Sequence, residues 1–158
     1  MIFVTLGTGD KGFARLLAEV ERMIALGVLQ EEVVVQAGNT DYQSEKMKIY
    51  DLLPMQEMDR LTEECSLLLT HGGVGSIISG LKHGKRVVAV PRLAKYNEVA
   101  NDHQLQIIKN FGDAGCLIGT DGVEGLEAAL EKAKTFVPKP YKSNTENMIA
   151  LIRKHIDA

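Results

Sequence analysis

The chain has 158 residues, of which 45% are hydrophobic and 25% are charged, which suits one globular domain and is too small for two ordinary ones. Its formal net charge of −3 provides no chain-wide attraction for nucleic acid, so we expect no nucleic-acid partner. The two cysteines, Cys65 and Cys116, lack metal-ligand spacing, and the sequence has no Asp-x-Asp cluster. We therefore predict no metal site and expect any anionic ligand to be bound locally.

Short runs rich in β-branched residues alternate along the chain with longer stretches of helical spacing. The short runs predict buried parallel strands over residues 2–6, 33–35, 49–53, 67–69 and 87–90, with a last short strand over 115–118. The longer stretches predict helices over residues 13–24, 55–62, 77–81, 97–110 and 123–134. Because parallel strands need crossover connections, this order predicts an α/β fold, a Rossmann-like parallel sheet with helices on both faces.

The chain divides at two prolines, Pro138 and Pro140. Residues 1–137 are predicted to form the Rossmann-like, ligand-binding domain, and residues 138–158 a proline-linked C-terminal segment. The segment opens on the capping box SNTE at residues 143–146 and continues with an apolar stripe, so it predicts a helix over 143–155. We expect this helix to pack on the domain or to lie at a partner interface.

The strand over residues 67–69 runs into the sequence THGGVGS at residues 70–76. Three glycines within four positions let the backbone approach a ligand, and the helix that follows directs its free N–H groups at the same place. Ser76 is positioned to cap this helix or to donate its hydroxyl to a phosphate, and His71 to donate a ring N–H. The pattern predicts a phosphate-binding turn, although the glycines would also suit a plain tight turn.

A second glycine-rich loop, GTGDKG at residues 7–12, formally fits the G-x-G-x-x-G fingerprint of nicotinamide dinucleotide binding. This keeps a nicotinamide-dependent oxidoreductase open as an alternative. Against it, the second strand does not end on the acidic residue expected to bind the ribose, because Gln36, Ala37 and Gly38 stand there.

The stretch from Pro91 to Gln104 is dense in polar side chains and follows a strand at the same end of the sheet. Side chains that both donate and accept hydrogen bonds suit sugar hydroxyls, so we predict a sugar-binding role. Asp102 and Gln104 are the best candidates, followed by His103 and Glu98.

Five sequence strings together carry a family likeness: FVTLGT at 3–8, HGGVGS at 71–76, GKR at 84–86, VP at 90–91 and NDHQ at 101–104. They resemble the nucleotide-sugar-binding C-terminal half of family 28 GT-B glycosyltransferases, the group containing the bacterial lipid II GlcNAc transferase. Single-domain versions are more similar still: the cytosolic subunit of the eukaryotic split UDP-GlcNAc transferase, and bacterial capsule or exopolysaccharide transferases. The resemblance implies the C-terminal half of a GT-B fold and a UDP-sugar donor.

The resemblance also implies a role for each matching residue. The diphosphate would be faced by His71, Gly73, Gly75 and Ser76, with Thr8 nearby, and the hexose by Asp102, His103 and Gln104. The family commonly has a ribose-binding glutamate where this chain has Ser79, and we hypothesise that Glu98 replaces it. His71 is then the catalytic residue that stabilises the leaving diphosphate, and His103 is a weaker candidate for the base.

Two-domain relatives carry an acceptor-binding half that this sequence does not match. We therefore expect a membrane-associated partner subunit with the lipid-linked saccharide acceptor, and a cytoplasmic chain recruited to the inner face of the membrane by that partner. The expected reaction is inverting transfer without a cofactor, with galactose as the first candidate for the sugar. A non-catalytic UDP-sugar-binding subunit that enhances its partner is the second hypothesis.

Overall fold

The computed structural model describes residues 1–140. Its strands are β1 (Ile2–Thr5), β2 (Val33–Gln36), β3 (Lys48–Tyr50), β4 (Leu67–His71), β5 (Val87–Val90) and β6 (Ile118–Gly119). Its α-helices are α1 (Ala14–Ala25), α2 (Met55–Glu64), α3 (Val74–Lys82), α4 (His103–Asp113) and α5 (Leu126–Ala133), with short 3₁₀ turns at Ala94–Tyr96 and Val123–Gly125. In this part of the chain no helix is long and apolar enough to cross a bilayer.

The six strands form one sheet in the order β3-β2-β1-β4-β5-β6, and every neighbouring pair is parallel. The chain winds outward from β1 to β3 and then returns to place β4 on the other side of β1. The switch point of the winding therefore lies between β1 and β4, where Thr5 is level with Thr70. In open parallel sheets the crevice at the carboxyl ends of such a strand pair is the usual ligand site.

Alternate residues of the central strands enter two separate hydrophobic layers. Val4 and Leu69 face one layer, which α1 and α5 cover, whereas Phe3 and Leu68 face the other, which α2, α3 and α4 cover. The sheet is thus buried on both sides, as its continuous apolar strands predict. The predicted α/β architecture with helices on both faces is confirmed.

Helix α3 lies very close to the sheet. A Cβ on Gly80 would lie 2.5 Å from a methyl carbon of Leu68 and 2.8 Å from one of Val87, so only glycine allows this separation. The close packing seats α3 over β4 and β5. Its first turn is thereby held at the carboxyl end of β4, beside the switch point.

The helix predicted over residues 97–110 is wrong at its start, because α4 begins at His103. Asn97 has a left-handed backbone, with φ of 56°, which no α-helix accommodates. It donates no helical hydrogen bond there; instead its N–H closes a tight turn on Ala94 O at 2.9 Å. Residues 97–102 form a loop over the carboxyl end of the sheet.

The two edge strands also differ from their predictions. β3 covers Lys48–Tyr50 rather than residues 49–53 and is largely exposed, and β6 is the two-residue strand Ile118–Gly119 rather than 115–118. Edge strands bury less surface than central ones, so hydrophobic periodicity marks their ends poorly. The predicted C-terminal helix over residues 143–155 lies outside the described residues.

Helix α4 is anchored by Phe111, whose side chain is fully buried in the layer beneath α2, α3 and α4. We expect Phe111→Ala to lower the free energy of unfolding by about 3–5 kcal/mol, the usual cost of emptying an aromatic core site. Leu52→Ala is the matched control, because that side chain is 66% exposed and its loss should change stability by at most about 0.5 kcal/mol. Urea unfolding followed by circular dichroism measures both, and equal midpoints would contradict this packing.

Candidate functional site

The candidate site lies at the switch point, where the loops after β1 and β4 meet. The first loop contains residues 6–13 and the second Gly72 and Gly73, after which α3 begins at Val74. Both loops leave the carboxyl ends of adjacent central strands. The geometry therefore brings together the two glycine-rich loops that the sequence presents 65 residues apart.

His71, the last residue of β4, fills the space between these loops. Its side chain is buried, with 7% exposure. A Cβ on Gly7 would lie 2.6 Å from Nε2 of the ring, and a Cβ on Gly73 would lie 2.6 Å from the same atom. Any side chain at either position would displace the imidazole. Gly7 also has φ of 74°, a left-handed backbone that favours glycine.

The contact with Arg92 fixes which ring nitrogen of His71 carries the proton. Nη1 of Arg92 lies 3.2 Å from Nδ1 of His71, and because a guanidinium can only donate, Nδ1 must accept. Burial, and secondarily the charge of Arg92, lower the pKa of His71 to about 3. At neutral pH the ring is therefore neutral, with its proton on Nε2, the nitrogen that lies between Gly7 and Gly73.

The first turn of α3 offers backbone donors beside this ring. Gly73 is the N-cap residue, has no side-chain cap, and its carbonyl accepts the first helical bond from Ile77 N at 3.2 Å. The N–H groups of Val74, Gly75 and Ser76 have no acceptor within the helix, as is general for a first turn. Gly75 is exposed and Ser76 half-buried. This end of the helix suits an anion, since the helix dipole is positive there.

Ser76 does not cap α3, because it is the third residue of the helix and Gly73 holds the cap position. That part of the sequence prediction is wrong, and the hydroxyl is left for another partner. Thr8 is exposed in the loop on the other side of His71. Of the predicted diphosphate residues, the structure thus groups His71, Gly73, Gly75 and Ser76 at one point, with Thr8 in the facing loop.

The loop after β1 is fixed by Gln36, whose amide is buried and fully hydrogen-bonded. Its Oε1 accepts from Thr5 Oγ1 at 2.8 Å and from Gly7 N at 3.2 Å, and its Nε2 donates to Gly7 O at 3.0 Å and Asp51 O at 3.2 Å. Gln36 stands where a nicotinamide enzyme would place its ribose-binding carboxylate, and it has no free polar group. Gly12 also precedes α1 instead of lying within it. Both observations weigh against the nicotinamide interpretation.

Glu98 holds the loop over residues 91–102 against α1. Its carboxylate accepts two hydrogen bonds from Arg15, at 2.9 and 3.0 Å, and one from Leu93 N at 3.1 Å. The Arg15 guanidinium also stacks on Tyr96, 3.8 Å from the ring centroid. Both carboxylate oxygens are already engaged, so Glu98 stabilises the loop, and its suggested role as ribose ligand stays a prediction.

The three residues predicted to meet the hexose lie at the start of α4. Oε1 of Gln104 accepts from Gly72 N at 3.3 Å and from Arg92 N at 3.0 Å, so this side chain joins the loops after β4 and β5. Asp102 is exposed and accepts from Ala94 N at 2.9 Å, and His103 is half-buried at the first helical position. The amide nitrogen of Gln104 and the second oxygen of Asp102 stay available to a ligand.

Two residues that shape this geometry, Arg92 and Gln36, were given no specific role from the sequence. Arg92 is the second residue after β5, at the carboxyl end of the sheet, and this position was the one available signal. Gln36 was noted only as a departure from the nicotinamide-binding fingerprint.

A polar cavity of about 560 Å³ also adjoins the loop after β1, lined by residues 38–44 with Ile49 and Asp51.

Several solved structures share this architecture, and two of them, SnogD and SsfS6, carry the name glycosyltransferase. The chain is similar to ALG13, solved by NMR, with 19% identity and a TM-score of 0.63 over 99% of this chain and 96% of ALG13. It is similar to SnogD from Streptomyces nogalater, with 17% identity and a TM-score of 0.54 over 99% of this chain and 38% of SnogD. It is also similar to SsfS6 from Streptomyces sp. SF2575, complexed with thymidine diphosphate. The identity is 21% and the TM-score 0.52, over 99% of this chain and 37% of SsfS6.

The chain therefore spans less than two fifths of the length of SnogD and of SsfS6. No curated protein sequence matches it. Residues 1–157 match the glycosyltransferase family 28 C-terminal domain, which is nearly the whole sequence. With the parallel sheet and switch-point loops described above, this match shows that the chain belongs to the glycosyltransferase family 28 C-terminal-domain family and has the fold of the C-terminal half of a GT-B enzyme.

Proposed function

We propose that this chain is the donor-binding, catalytic subunit of an inverting glycosyltransferase that uses a UDP-sugar. One observation carries the proposal: the Nε2–H of a buried, neutral His71 and the free N–H groups of α3 converge at the switch point. These are donors without acceptors on a positive helix end, which suits a diphosphate. Membership of the family supports a nucleotide sugar as the molecule that contains this diphosphate.

In this proposal the diphosphate lies against the first turn of α3. The N–H groups of Gly75 and Ser76 and the Ser76 hydroxyl donate to phosphate oxygens, and Nε2–H of His71 donates from the floor of the site. Thr8 approaches from the facing loop. Such fixed donors bind the leaving group more strongly as its negative charge grows, which lowers the barrier to transfer.

The chemical step follows from inversion at the anomeric carbon. The acceptor hydroxyl oxygen forms the new bond to that carbon, and the bond to the phosphate oxygen breaks, its electron pair leaving with UDP. The hydroxyl proton passes to a base. His71 does not serve as that base, because Nε2 already carries a proton and Nδ1 accepts from Arg92. Within this chain His103 is the candidate, and the partner subunit is the other source.

The hexose would lie at the start of α4, against Asp102, His103 and Gln104. We propose galactose as the sugar and a lipid-linked saccharide of capsule or exopolysaccharide synthesis as the acceptor, both on the resemblance of the motifs. Glucuronic acid and GlcNAc are the next candidates for the sugar. We propose transfer without a metal or other cofactor, because the α3 donors and Nε2–H of His71 are placed to offset the diphosphate charge.

A non-catalytic subunit that binds a UDP-sugar and enhances its partner is the second candidate. It predicts that replacing His71 leaves turnover intact as long as the complex with the partner forms. The catalytic proposal predicts loss of turnover with the complex retained.

The donor site can be tested by adding a single methyl group at Gly73. Gly73→Ala would place its Cβ 2.6 Å from Nε2 of His71, so the ring must move, and we expect UDP to bind at least about tenfold more weakly. The control is Gly112→Ala in α4, where the nearest atom to the new Cβ lies 4.0 Å away. Isothermal titration calorimetry with UDP measures both affinities, and thermal unfolding without ligand verifies that both variants fold.

A saturating nucleotide at 100 times its dissociation constant stabilises a protein by about 2.7 kcal/mol, so thermal shifts can rank UDP-galactose, UDP-glucuronic acid, UDP-GlcNAc and NADH. We expect the UDP-sugars to raise the melting temperature and NADH to leave it unchanged. Equal UDP affinity in the two glycine variants, or stabilisation by NADH alone, would reject the proposed donor site.

The partner is tested by reconstitution. Membranes from source cells lacking this chain are mixed with purified wild-type chain, and transfer of label from UDP-[³H]galactose into the lipid extract is measured. We expect label only when both fractions are present, because the acceptor site is supplied by the membrane fraction. The His71→Gln chain should give none.

The labelled panel is repeated with UDP-glucuronic acid and UDP-GlcNAc, so that a wrong sugar does not count against the partner. Lipid labelling at the full rate by purified chain alone, supplied with lipid extract from the same cells, would contradict the need for a partner.

A further inference from the structure

The guanidinium of Arg92 lies beneath the candidate site, in the protein interior, where arginine side chains are rare. The side chain is 5% exposed. Nη2 donates to Leu6 O at 2.8 Å, Nη1 donates to Nδ1 of His71 at 3.2 Å, and the group packs over the ring of Phe13, 5.5 Å from its centroid. The Arg92 guanidinium therefore links the backbone just after β1 to the side chain of the last residue of β4.

The charge of Arg92 has no direct carboxylate partner among residues 1–140. Glu98 is the acidic group that acts on it, but the oxygens of Glu98 bind Arg15 and Leu93 N. Nε of Arg92 is buried and makes no hydrogen bond within the described chain. A buried cation that is paired this weakly is costly for the fold, so its retention calls for a function.

We infer that Arg92 is a positioning residue for the donor site, which occupies Nδ1 of His71 and thereby directs the ring proton through Nε2 toward the diphosphate. The inference rests on the proposed function, because it assigns the ligand of Nε2–H to the UDP-sugar. Arg92 itself touches no substrate in this account. It acts through His71, because its hydrogen bond to Nδ1 holds the ring with Nε2–H as the free donor.

Burial is the larger reason why the pKa of His71 is low, and the charged groups around the pair are the second. Arg92 is the charge that acts on His71, Glu98 from the same loop acts on Arg92, and Arg15 from α1 engages Glu98. The facing loop ends contribute glycine backbone, and α4 contributes the neutral amide of Gln104. Since burial and Arg92 both lower the pKa of His71, UDP should bind without proton uptake by this ring at pH 6–8.

Lysine cannot replace this arginine. A single ammonium group lacks the planar fork that reaches Leu6 O and Nδ1 of His71 together, although it keeps the charge. Arg92→Lys therefore separates hydrogen-bond geometry from charge, and Arg92→Met removes both. Arg86→Met is the matched control, because Arg86 is an exposed arginine immediately before β5, at the opposite end of the same strand.

The first test is ¹⁵N NMR of the histidine rings in the wild-type protein. We expect His71 to show a protonated Nε2 and an unprotonated Nδ1 from pH 8 to pH 5, assigned by the loss of its signals in His71→Gln. In Arg92→Met the pKa of His71 should rise, because burial alone then opposes protonation.

The second test is a double-mutant cycle on UDP affinity. We expect Arg92→Met and Arg92→Lys each to weaken UDP binding about tenfold at pH 8, with Arg86→Met unchanged. In the His71→Gln background, Arg92→Met should cost much less than it does alone, since an indirect effect needs the ring.

A His71 ring that is charged, or protonated on Nδ1, at neutral pH in the wild type would overturn the inference. Additive losses from the two substitutions would also overturn it, because they would give Arg92 a separate role. If the wild-type protein fails to bind UDP, the proposed function fails instead, and the ring measurements still decide whether Arg92 sets the protonation of His71.

Discussion

The imidazole of His71 packs against the backbone of Gly7 and Gly73, and the rest of the site is arranged around this contact. The ring fits because neither neighbour has a side chain and because Gly7 adopts a left-handed backbone. Gln36 fixes Gly7 through two hydrogen bonds, and Arg92 fixes the ring through Nδ1. Gly80 holds α3 close to the sheet, which brings its first turn to the same place. The site is therefore rigid before a ligand arrives, and little binding energy is needed to organise it.

The central sheet and its covering helices follow directly from the sequence, because burial on both faces produces uninterrupted apolar strands with helical stretches between them. The loop over residues 91–102 does not. Its shape depends on Glu98 binding Arg15 and on Asn97 accepting from Lys11 at 2.8 Å, contacts between positions more than 80 residues apart. No local pattern encodes such pairs, so helical spacing extended α4 six residues too far. Arg92 was given no role of its own for a similar reason, since a single arginine after a strand usually lies in solvent.

In the proposed reaction the described chain supplies the donor side. Backbone donors, a neutral imidazole and a buried guanidinium suit a leaving diphosphate, whereas a base for the acceptor hydroxyl is not evident beside them. The structural relatives SnogD and SsfS6 are more than twice as long as this chain, and ALG13 is of nearly the same length. The division of labour we propose, donor side here and acceptor side on a partner, follows from this asymmetry of chemical groups.

The central claim is that the diphosphate lies between His71 and the first turn of α3. Titrating UDP into ¹⁵N-labelled protein and following each backbone amide tests it most directly. The account predicts the largest shifts at Gly7, Thr8 and residues 73–76, together with a shift of the His71 Nε2 proton. Largest shifts at residues 38–44, around the neighbouring polar cavity, with residues 73–76 unmoved, would contradict it.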